Sequence, residues 1–293
     1  MDNFIVLYNP LAGNGTAQDK MRELESLMQG DRLYFSNMLD IRDYGAFFND
    51  MPDGASIIIC GGDGTLNRFL NDTEDIRPDF DIYYYPSGSG NDFARDIGAE
   101  RGAPPVLINR YIERLPKICV NGKEHRFING IGYGIDGYCC EKGDELRGKG
   151  DGEVNYTAIA IKGLLFHYKP TGATITVDGV EHRFEKVWLA PTMIGRCYGG
   201  GMMPTPEQDR LNGDGAVSVM VYYGSGKLKS LAVFPSIFKG EHVKHGEMVA
   251  VLSGRSITVC FDEPRPLQID GETVPGVREY SVTACEEKVL QPA

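Results

Sequence analysis

The chain has 293 residues, enough for one large domain or two ordinary ones, and with 42% hydrophobic and 24% charged residues it has a globular composition. Its net charge of −11 argues against a nucleic-acid-binding protein, which needs a basic surface to neutralise phosphates. The charge does not exclude a nucleotide, because backbone N–H groups and a bound cation can hold phosphates.

Cysteine content and hydropathy give the expected compartment. The seven cysteines form no CxxC pair, which indicates a reducing cytoplasm. The first residues lack the basic and apolar regions of a signal peptide. Apolar runs such as Ser56–Cys60 are too short to span a bilayer. We therefore expect a cytoplasmic protein without a transmembrane segment, whose contact with a membrane is peripheral and transient.

The first part of the chain alternates short apolar runs with amphipathic stretches. Each of three strands is followed by a loop rich in small residues and then by a helix, an order typical of a parallel α/β sheet. The predicted strands are Phe4–Tyr8, Ala55–Cys60 and Asp81–Tyr85, and the predicted helices are Thr16–Gln29, Asp43–Met51, Thr65–Asn71 and Phe93–Ile97.

The second part is mostly strand-like, with one predicted helix at Val154–Tyr168 and a hairpin turn at Asp178-Gly179. The further predicted strands are Ala173–Val177, His182–Phe184, Val187–Met193, Ala216–Tyr223, Met248–Leu252, Ser256–Phe261 and Tyr280–Ala284. The sequence thus predicts two domains, a parallel α/β unit over residues 1–124 and an antiparallel β-rich unit over residues 125–293.

Three loops rich in Gly, Asp and Asn directly follow predicted strands of the first domain, at residues 9–15, 61–65 and 87–92. Ligands of open parallel sheets bind at the carboxyl ends of strands, where glycine lets the backbone approach phosphate oxygens. Any one of these loops could be a plain strand–helix turn, but three at equivalent places favour a nucleotide site. None fits the P-loop or the dinucleotide fingerprint.

Taken together, the motifs resemble the catalytic family of diacylglycerol kinases, which includes sphingosine and ceramide kinases and soluble bacterial lipid kinases. They follow the order of the family over nearly the whole chain. The residues that carry the resemblance are Asn9-Pro10 with Gly13, Gly61–Asn67, Ser87–Arg95, Phe127–Asn129 with Gly134–Asp136, Asp214-Gly215 and Ile269–Glu272.

The resemblance implies a kinase with a fold like that of NAD kinase and diacylglycerol kinase, with ATP and Mg²⁺ at the cleft and a C-terminal β-sandwich that holds the acceptor. It implies magnesium ligation by Asp63 and Asp92, and a structural magnesium at Gly213, Asp214 and Ala216. The residues it assigns to the nucleotide are Asn9, Pro10, Gly62, Gly64, Thr65, Ser87, Gly88, Ser89, Asn91 and Glu272.

The general base implied by the family is Asp270 or Asp63, with a preference for Asp270. Read alone, both are also ordinary turn aspartates. The chain departs from the family pattern at Arg68, where an acidic residue is common. It departs again at Arg114–Pro116, where bacterial members carry an aspartate, and we hypothesise that Asp136 compensates.

The expected function is therefore ATP-dependent phosphorylation of a hydroxyl on a lipid presented at a membrane surface, with diacylglycerol as one acceptor among several. Two alternatives remain at this point: a small-molecule kinase that acts on NAD, and a non-catalytic relative that binds nucleotide or lipid. Relatives are often dimers, so the resemblance leaves a homodimer open. It also implies that the last residues pack back on the first domain.

Four further sequence features are weaker functional signals, and each has an ordinary structural interpretation. His242 and His245 form an HxxH pair that fits a surface helix or loop better than a zinc site. We expect Gly199–Met203 to be a loop that lines the cleft, and Leu164–Tyr168 to be the core face of a helix, with a wall that contacts lipid as the alternative. The stretch with Lys142, Arg147 and Lys149 fits a solvated loop, with contact to ATP phosphates as the alternative.

Overall fold

The structure, a computed structural model, describes residues 2–10, 17–74, 76, 80–88, 90–148 and 156–285. The chain divides into two compact units, Met1–Glu113 and Arg114–Ala293. The predicted domain boundary between residues 124 and 125 stays a prediction. So does the packing of the last residues on the first domain, since residues 286–293 lie outside the described part. Among the described residues, no helix combines the length and the apolar character needed to cross a bilayer.

The first unit contains a five-stranded sheet with the order β2-β1-β3-β4-β5. Its four longer strands are parallel and β5 is antiparallel to β4, so the predicted α/β class is confirmed with one antiparallel edge. The strands are β1 (Asn3–Tyr8), β2 (Arg32–Asn37), β3 (Ser56–Gly61), β4 (Ile82–Pro86) and β5 (Val106–Leu107).

Helices connect these strands. They are α1 (Ala17–Leu27), α2 (Tyr44–Asn49), α3 (Asp63–Asp72), α4 (Asp92–Ile97) and α5 (Asn109–Ile112). The central strands β1 and β3 are continuous apolar runs, because each must be apolar on both faces. Val6, Leu7 and Ile57–Ile59 are accordingly fully buried. The edge strand β2, which is only half-buried and lacks such a run, was not predicted.

The second unit contains a ten-stranded antiparallel sheet, which confirms the predicted class. Eight strands follow the order β13-β12-β11-β8-β14-β15-β6-β7, and β9 pairs with β14 and β10. The strands are β6 (Lys117–Val120), β7 (Lys123–Arg126), β8 (Gly130–Tyr133), β9 (Thr171–Val177), β10 (Val180–Val187), β11 (Thr192–Met193), β12 (Val217–Tyr222), β13 (Val249–Gly254), β14 (Ser256–Ile269) and β15 (Glu272–Thr283).

Helical segments cover an apolar cluster of this unit that includes Trp188, Val233 and Ile237. They are α6 (Ile135–Gly148), α7 (Tyr156–Lys162), a π-helical turn (Gly163–His167), α8 (Lys227–Val233) and two 3₁₀ helices (Phe234–Lys239 and Glu241–Lys244).

Two sequence predictions for the second unit are wrong in part. The predicted strand Val187–Met193 is regular only at β11, since Pro191 lacks the N–H that a ladder needs. The stretch with Lys142 and Arg147 lies on α6 and is not a loop, while Lys149 falls outside the described residues.

Two glycines hold the loops after β3 and β4 close together. A Cβ placed on Gly88 would lie 2.5 Å from the Cα of Gly62, and one on Gly62 would lie 3.1 Å from the Cα of Gly88. The backbones therefore pack against each other with no room for a side chain between them. This contact fixes the spacing of two of the three loops that the sequence singled out.

We expect Gly88→Ala to lower the free energy of unfolding by about 1–3 kcal/mol, because the methyl group would enter this backbone contact. Gly64→Ala is the matched control. A Cβ on Gly64 has no neighbour within 4 Å, and alanine in a helix is favoured over glycine by about 0.5–1 kcal/mol. Urea unfolding of both variants measures the effect. Equal stability of the two would contradict the packing argument.

Candidate functional site

The carboxyl ends of β1, β3 and β4 each lead into a predicted nucleotide loop. Asn9 and Pro10 follow β1, Gly62 follows β3, and Ser87 and Gly88 follow β4. The three strands are parallel neighbours, so these residues lie along one edge of the sheet. Ser89 and residues 11–16, with Gly13 among them, lie outside the described residues.

The side chain of Asp63 connects two of these loops. Asp63 is the first residue of α3, and its carboxylate accepts backbone hydrogen bonds from α4: Oδ2 from Asp92 N at 3.0 Å and Oδ1 from Phe93 N at 2.9 Å. It thereby satisfies two N–H groups that a helix N-terminus leaves open. The residue predicted to act on phosphates therefore also orders the third loop.

Asp92 brings a second carboxylate to the same place. Its side chain is buried and lies 3.2 Å from Nη1 of Arg95. A Cβ on Gly90 would lie 3.5 Å from Asp63 Oδ2 and 3.7 Å from Asp92 Oδ2, so both carboxylates flank one point above this glycine. Magnesium sites that also use substrate phosphates need only one or two carboxylates. The donor set fits such an ion.

Asn91 lies between them in the left-handed region, with φ 53°. Its Nδ2 donates to Gly88 O at 2.8 Å, while its Oδ1 is buried and has no hydrogen-bond partner among the described residues. A buried acceptor without a donor is costly, so this oxygen is open to a ligand or a water molecule.

The side chains of Thr65 and Cys60 contact the loops after β3 and β4. Thr65 is buried, and its side chain fills the space that a Cβ on Gly61 would take. Cys60 Sγ lies 3.8 Å from Ser87 Oγ. Burial raises the pKa of the Cys60 thiol to about 11, so it is neutral and serves as a small core residue.

In the second unit, Asp270 and Gly271 form the turn between β14 and β15, with φ 46° and 97°. The Asp270 carboxylate leaves this turn and binds the segment before β8. It accepts hydrogen bonds from Ile128 N at 2.6 Å, Asn129 N at 2.9 Å and Gly130 N at 3.0 Å. The two predicted motifs, Phe127–Asn129 and Ile269–Glu272, are thus joined through one side chain, and Glu272 beside them is exposed.

Helix α6 holds both sides of this turn. Before the turn, Gln268 Nε2 donates to Asp136 Oδ2 at 2.8 Å, and Gln268 Oε1 accepts from Gly271 N at 2.6 Å. After the turn, Thr273 Oγ1 donates to Asp144 Oδ2 at 2.7 Å. Asp136 and Asp144 are both on α6, so one helix fixes the position from which Asp270 and Glu272 project.

Sequence reasoning missed Gln268 and Arg210. Gln268 is the second-last residue of β14 and lies two positions before Asp270, so a polar residue directly beside the turn motif was the signal for it. Arg210 donates to Ile128 O at 2.5 Å and to Asn129 Oδ1 at 3.3 Å. Nothing in the sequence around Arg210 indicates this contact.

The predicted metal loop is occupied by protein donors. Ala216 O accepts from Gln208 Nε2 at 2.9 Å and from Asn212 Nδ2 at 2.7 Å. Asp214 O accepts from Arg255 at 2.7 Å, and Asp214 Oδ1 accepts from Ala216 N at 3.2 Å. Asn212 Oδ1 is buried and without a partner among the described residues.

A guanidinium group also reaches the third predicted ligand of this loop, since Arg114 Nη1 lies 3.4 Å from Gly213 O. A cation at Gly213, Asp214 and Ala216 would therefore compete with two arginines and two amides. This set does not favour a structural magnesium, and the metal role of the loop stays a prediction. The other departure from the family pattern, Arg68, points to Asp72 at 3.3 Å on an exposed helix face.

Three weaker features differ from their sequence interpretation, and one is the predicted core face Leu164–Tyr168, where Phe166 is 72% exposed. His242 is fully buried, with Nε2 2.9 Å from Pro204 O, so the expected surface position is wrong for this residue. Burial lowers its pKa. Lys142 lies on α6, where it pairs with Glu145 at 2.7 Å. Residues Tyr198 and Met202 close the Gly199–Gly201 loop through two backbone hydrogen bonds of 3.0 Å.

Asp136 has an unusual protonation equilibrium. Burial raises the pKa of its carboxyl from the ordinary 3.8 to about 6, and the hydrogen bond from Gln268 acts in the opposite direction. Cys139, Cys140 and Tyr198 are the other titratable groups around it. The ionised form therefore destabilises the folded state above pH 6, and this cost disappears as the pH falls towards 4.

We expect Asp136→Asn, whose amide oxygen can still accept from Gln268, to raise the free energy of unfolding above pH 6 by up to about 3 kcal/mol. Near pH 4 the variant and the parent should be equally stable. Urea unfolding across this range measures the difference. A difference that does not change with pH would show that Asp136 does not titrate as its surroundings indicate.

Both units of the chain match models of known protein families. The family model of the diacylglycerol kinase catalytic domain matches residues 3–117, and that of the YegS C-terminal NAD kinase beta sandwich-like domain matches residues 129–286. The chain is 27% identical to a diacylglycerol kinase of Mycobacterium tuberculosis over 246 residues, which cover 81% of this chain and 77% of that protein.

A diacylglycerol kinase of Bacillus subtilis is 28% identical over 224 residues, which cover 74% of this chain and 70% of that protein. The fold is that of a diacylglycerol kinase crystal structure from Bacillus anthracis, with a TM-score of 0.59, 18% identity and coverage of 97% and 94% of the two chains. The chain belongs to the diacylglycerol kinase family, with a diacylglycerol kinase catalytic domain followed by a YegS-type C-terminal domain.

Proposed function

We propose that this protein is a lipid kinase that transfers the γ-phosphoryl group of ATP to a hydroxyl group of a lipid such as diacylglycerol. The observation that carries the proposal is the pair of carboxylates, Asp63 and Asp92, that flank one point above Gly90 at the carboxyl edge of the parallel sheet. The diacylglycerol kinase relatives support the acceptor class.

The loops of the first unit would bind the nucleotide. Glycine backbones at Gly62, Gly64 and Gly88 leave space for phosphate oxygens, and the N-termini of α3 and α4 face the same edge with Asn91 Oδ1 open beside them. Asn9, Pro10, Thr65, Ser87, Ser89 and Glu272 complete the proposed nucleotide set.

Asp63 and Asp92 would hold Mg²⁺ against the phosphates. When bound, this ion neutralises charge on the transferring phosphoryl group. The residues of this chain provide the rest: Asp63 orders α4, the ion pair with Arg95 holds Asp92, and the glycine contact fixes the spacing of the loops. Phosphoryl transfer relies mainly on such positioning.

The general base must take a proton from the acceptor hydroxyl. Asp270, the sequence-based choice, accepts three backbone hydrogen bonds, which occupy three of the about four lone pairs of its carboxylate. Asp63 likewise accepts two. Glu272 is exposed, two residues from Asp270, and is presented by the turn that α6 fixes. We therefore add Glu272 to the candidate bases and give Asp270 a positioning role.

The site of action would be a membrane surface, which a cytoplasmic protein reaches transiently, since a lipid acceptor resides there. The proposal includes a homodimer, which the resemblance of the sequence to its family leaves open.

We expect phosphate transfer from ATP to at least one lipid of a panel in mixed micelles, with Mg²⁺ present. Glu272→Gln should lower kcat by about 100-fold or more without changing the unfolding curve, as loss of a general base does. Asp270→Asn and Asp63→Asn should lower both kcat and stability, the latter by about 1–3 kcal/mol, because buried N–H groups lose acceptors. Asp53→Asn, at an exposed position, is the control.

Three outcomes would contradict parts of this proposal. Transfer to NAD but to no lipid would identify a small-molecule kinase. ATP binding without transfer to any acceptor would identify a non-catalytic relative. Full activity of Glu272→Gln together with loss of activity, but not of stability, in Asp270→Asn would return the base to Asp270.

A further inference from the structure

Two large apolar side chains of the second unit are almost fully exposed. Phe166, in the π-helical turn, is 72% exposed, and Leu228, in the first turn of α8, is 80% exposed. A solvated surface gains nothing from such side chains, and exposed apolar patches often mark a site of association.

These two side chains belong to adjoining segments. Lys227 Nζ donates to Leu165 O at 2.8 Å, so the residues that directly precede Leu228 and Phe166 are hydrogen-bonded to each other. Ile161, one turn earlier on α7, is also exposed. We call Ile161, Lys162, Phe166, Lys227 and Leu228 the Phe166 surface.

The inner faces of the same segments are already buried. Ile159 and Ala160 of α7 and Leu231 and Val233 of α8 pack on the apolar cluster of the second unit. The segments therefore carry apolar residues on both sides. The outer side combines the exposed Phe166 and Leu228 with lysines, and no described residue encloses these two apolar side chains.

The charge of the residues around Phe166 and Leu228 indicates which kind of partner this surface binds. The chain has 41 acidic residues, yet neither 156–170 nor 226–240 contains one. The lysines of these stretches are Lys162, Lys169, Lys227, Lys229 and Lys239. Among the described residues, no ion pair involves Lys162, Lys169 or Lys227, whereas Lys229 pairs with Glu247 at 2.8 Å. A basic surface on a protein of net charge −11 is complementary to an anionic surface.

We propose that the Phe166 surface docks on an anionic lipid bilayer, with Phe166 and Leu228 in the headgroup–acyl boundary and Lys162 and Lys227 on the lipid phosphates. Apolar side chains flanked by lysines are the pattern of interfacial membrane binding, in which burial of apolar area adds to electrostatic attraction. This inference rests on the proposed function, because a kinase with a lipid acceptor has to reach a bilayer, and it names the face that does so.

The test measures vesicle binding by sedimentation, without ATP, so that its result does not depend on turnover. The parent should bind vesicles of equal parts phosphatidylglycerol and phosphatidylcholine, and bind phosphatidylcholine vesicles at least about tenfold more weakly, since the lysines then lack anionic partners. Higher salt should weaken binding to the anionic vesicles.

Phe166→Ser with Leu228→Ser should weaken binding to anionic vesicles by about tenfold or more. Lys162→Gln with Lys227→Gln should weaken it about tenfold and reduce its salt dependence. The matched control is Val180→Ser with Val251→Ser, which removes two exposed apolar side chains from strands β10 and β13 and should bind as the parent does. Thermal unfolding of each variant establishes that it is folded.

Activity on a short-chain, soluble diacylglycerol separates this proposal from the proposed function. If the serine variant keeps that activity and loses vesicle binding, the docking surface is supported. Vesicle binding by the serine variant equal to that of the parent, or no binding by the parent, overturns the proposal even if the enzyme is active. The proposal is also overturned if the parent is a dimer and the serine variant is a monomer that binds vesicles as the parent does. A second copy of the chain then covers the surface.

Discussion

Carboxylates bound to backbone N–H groups organise the motif loops of each unit. In the first unit the two oxygens of Asp63 cap α4, and in the second unit Asp270 gathers three successive N–H groups of the segment before β8. Glycine-rich loops have little side-chain packing of their own, so they need an acceptor of this kind to hold one conformation. The other features of both sites depend on these bonds.

These hydrogen bonds change the role that we expect of an aspartate in the family motifs. A carboxylate that already accepts two or three hydrogen bonds is well placed to order a loop and poorly placed to exchange a proton. We propose that the chemistry then falls to carboxylates held by the ordered loops, such as Asp92 beside the Gly90 backbone and the exposed Glu272 after the β14–β15 turn. Loss of activity on substitution of Asp63 or Asp270 would therefore have two causes, which only a stability measurement separates.

The sequence predicted the parts of the molecule that local pattern determines. The buried runs of β1 and β3, the small-residue loops after them and the β-rich second unit all follow from apolar continuity and turn chemistry. The sequence could not predict contacts that depend on tertiary pairing. The Asp63 bonds to α4 join residues about 30 positions apart, and those of Asp270 join residues about 140 apart. The half-buried edge strand β2 shows the same limit at the level of a single strand.

Acidic residues are distributed unevenly over the second unit. Around the β14–β15 turn, Asp136 and the exposed Asp144 of α6 accept hydrogen bonds, and burial raises the pKa of Asp136 to about 6. Around Phe166, acidic residues are absent from two adjoining stretches and lysines remain. A strongly acidic protein is repelled by an anionic membrane unless one face is kept free of carboxylates. The charge of these stretches therefore favours the orientation proposed for the Phe166 surface, and this orientation would bring the second unit to the bilayer.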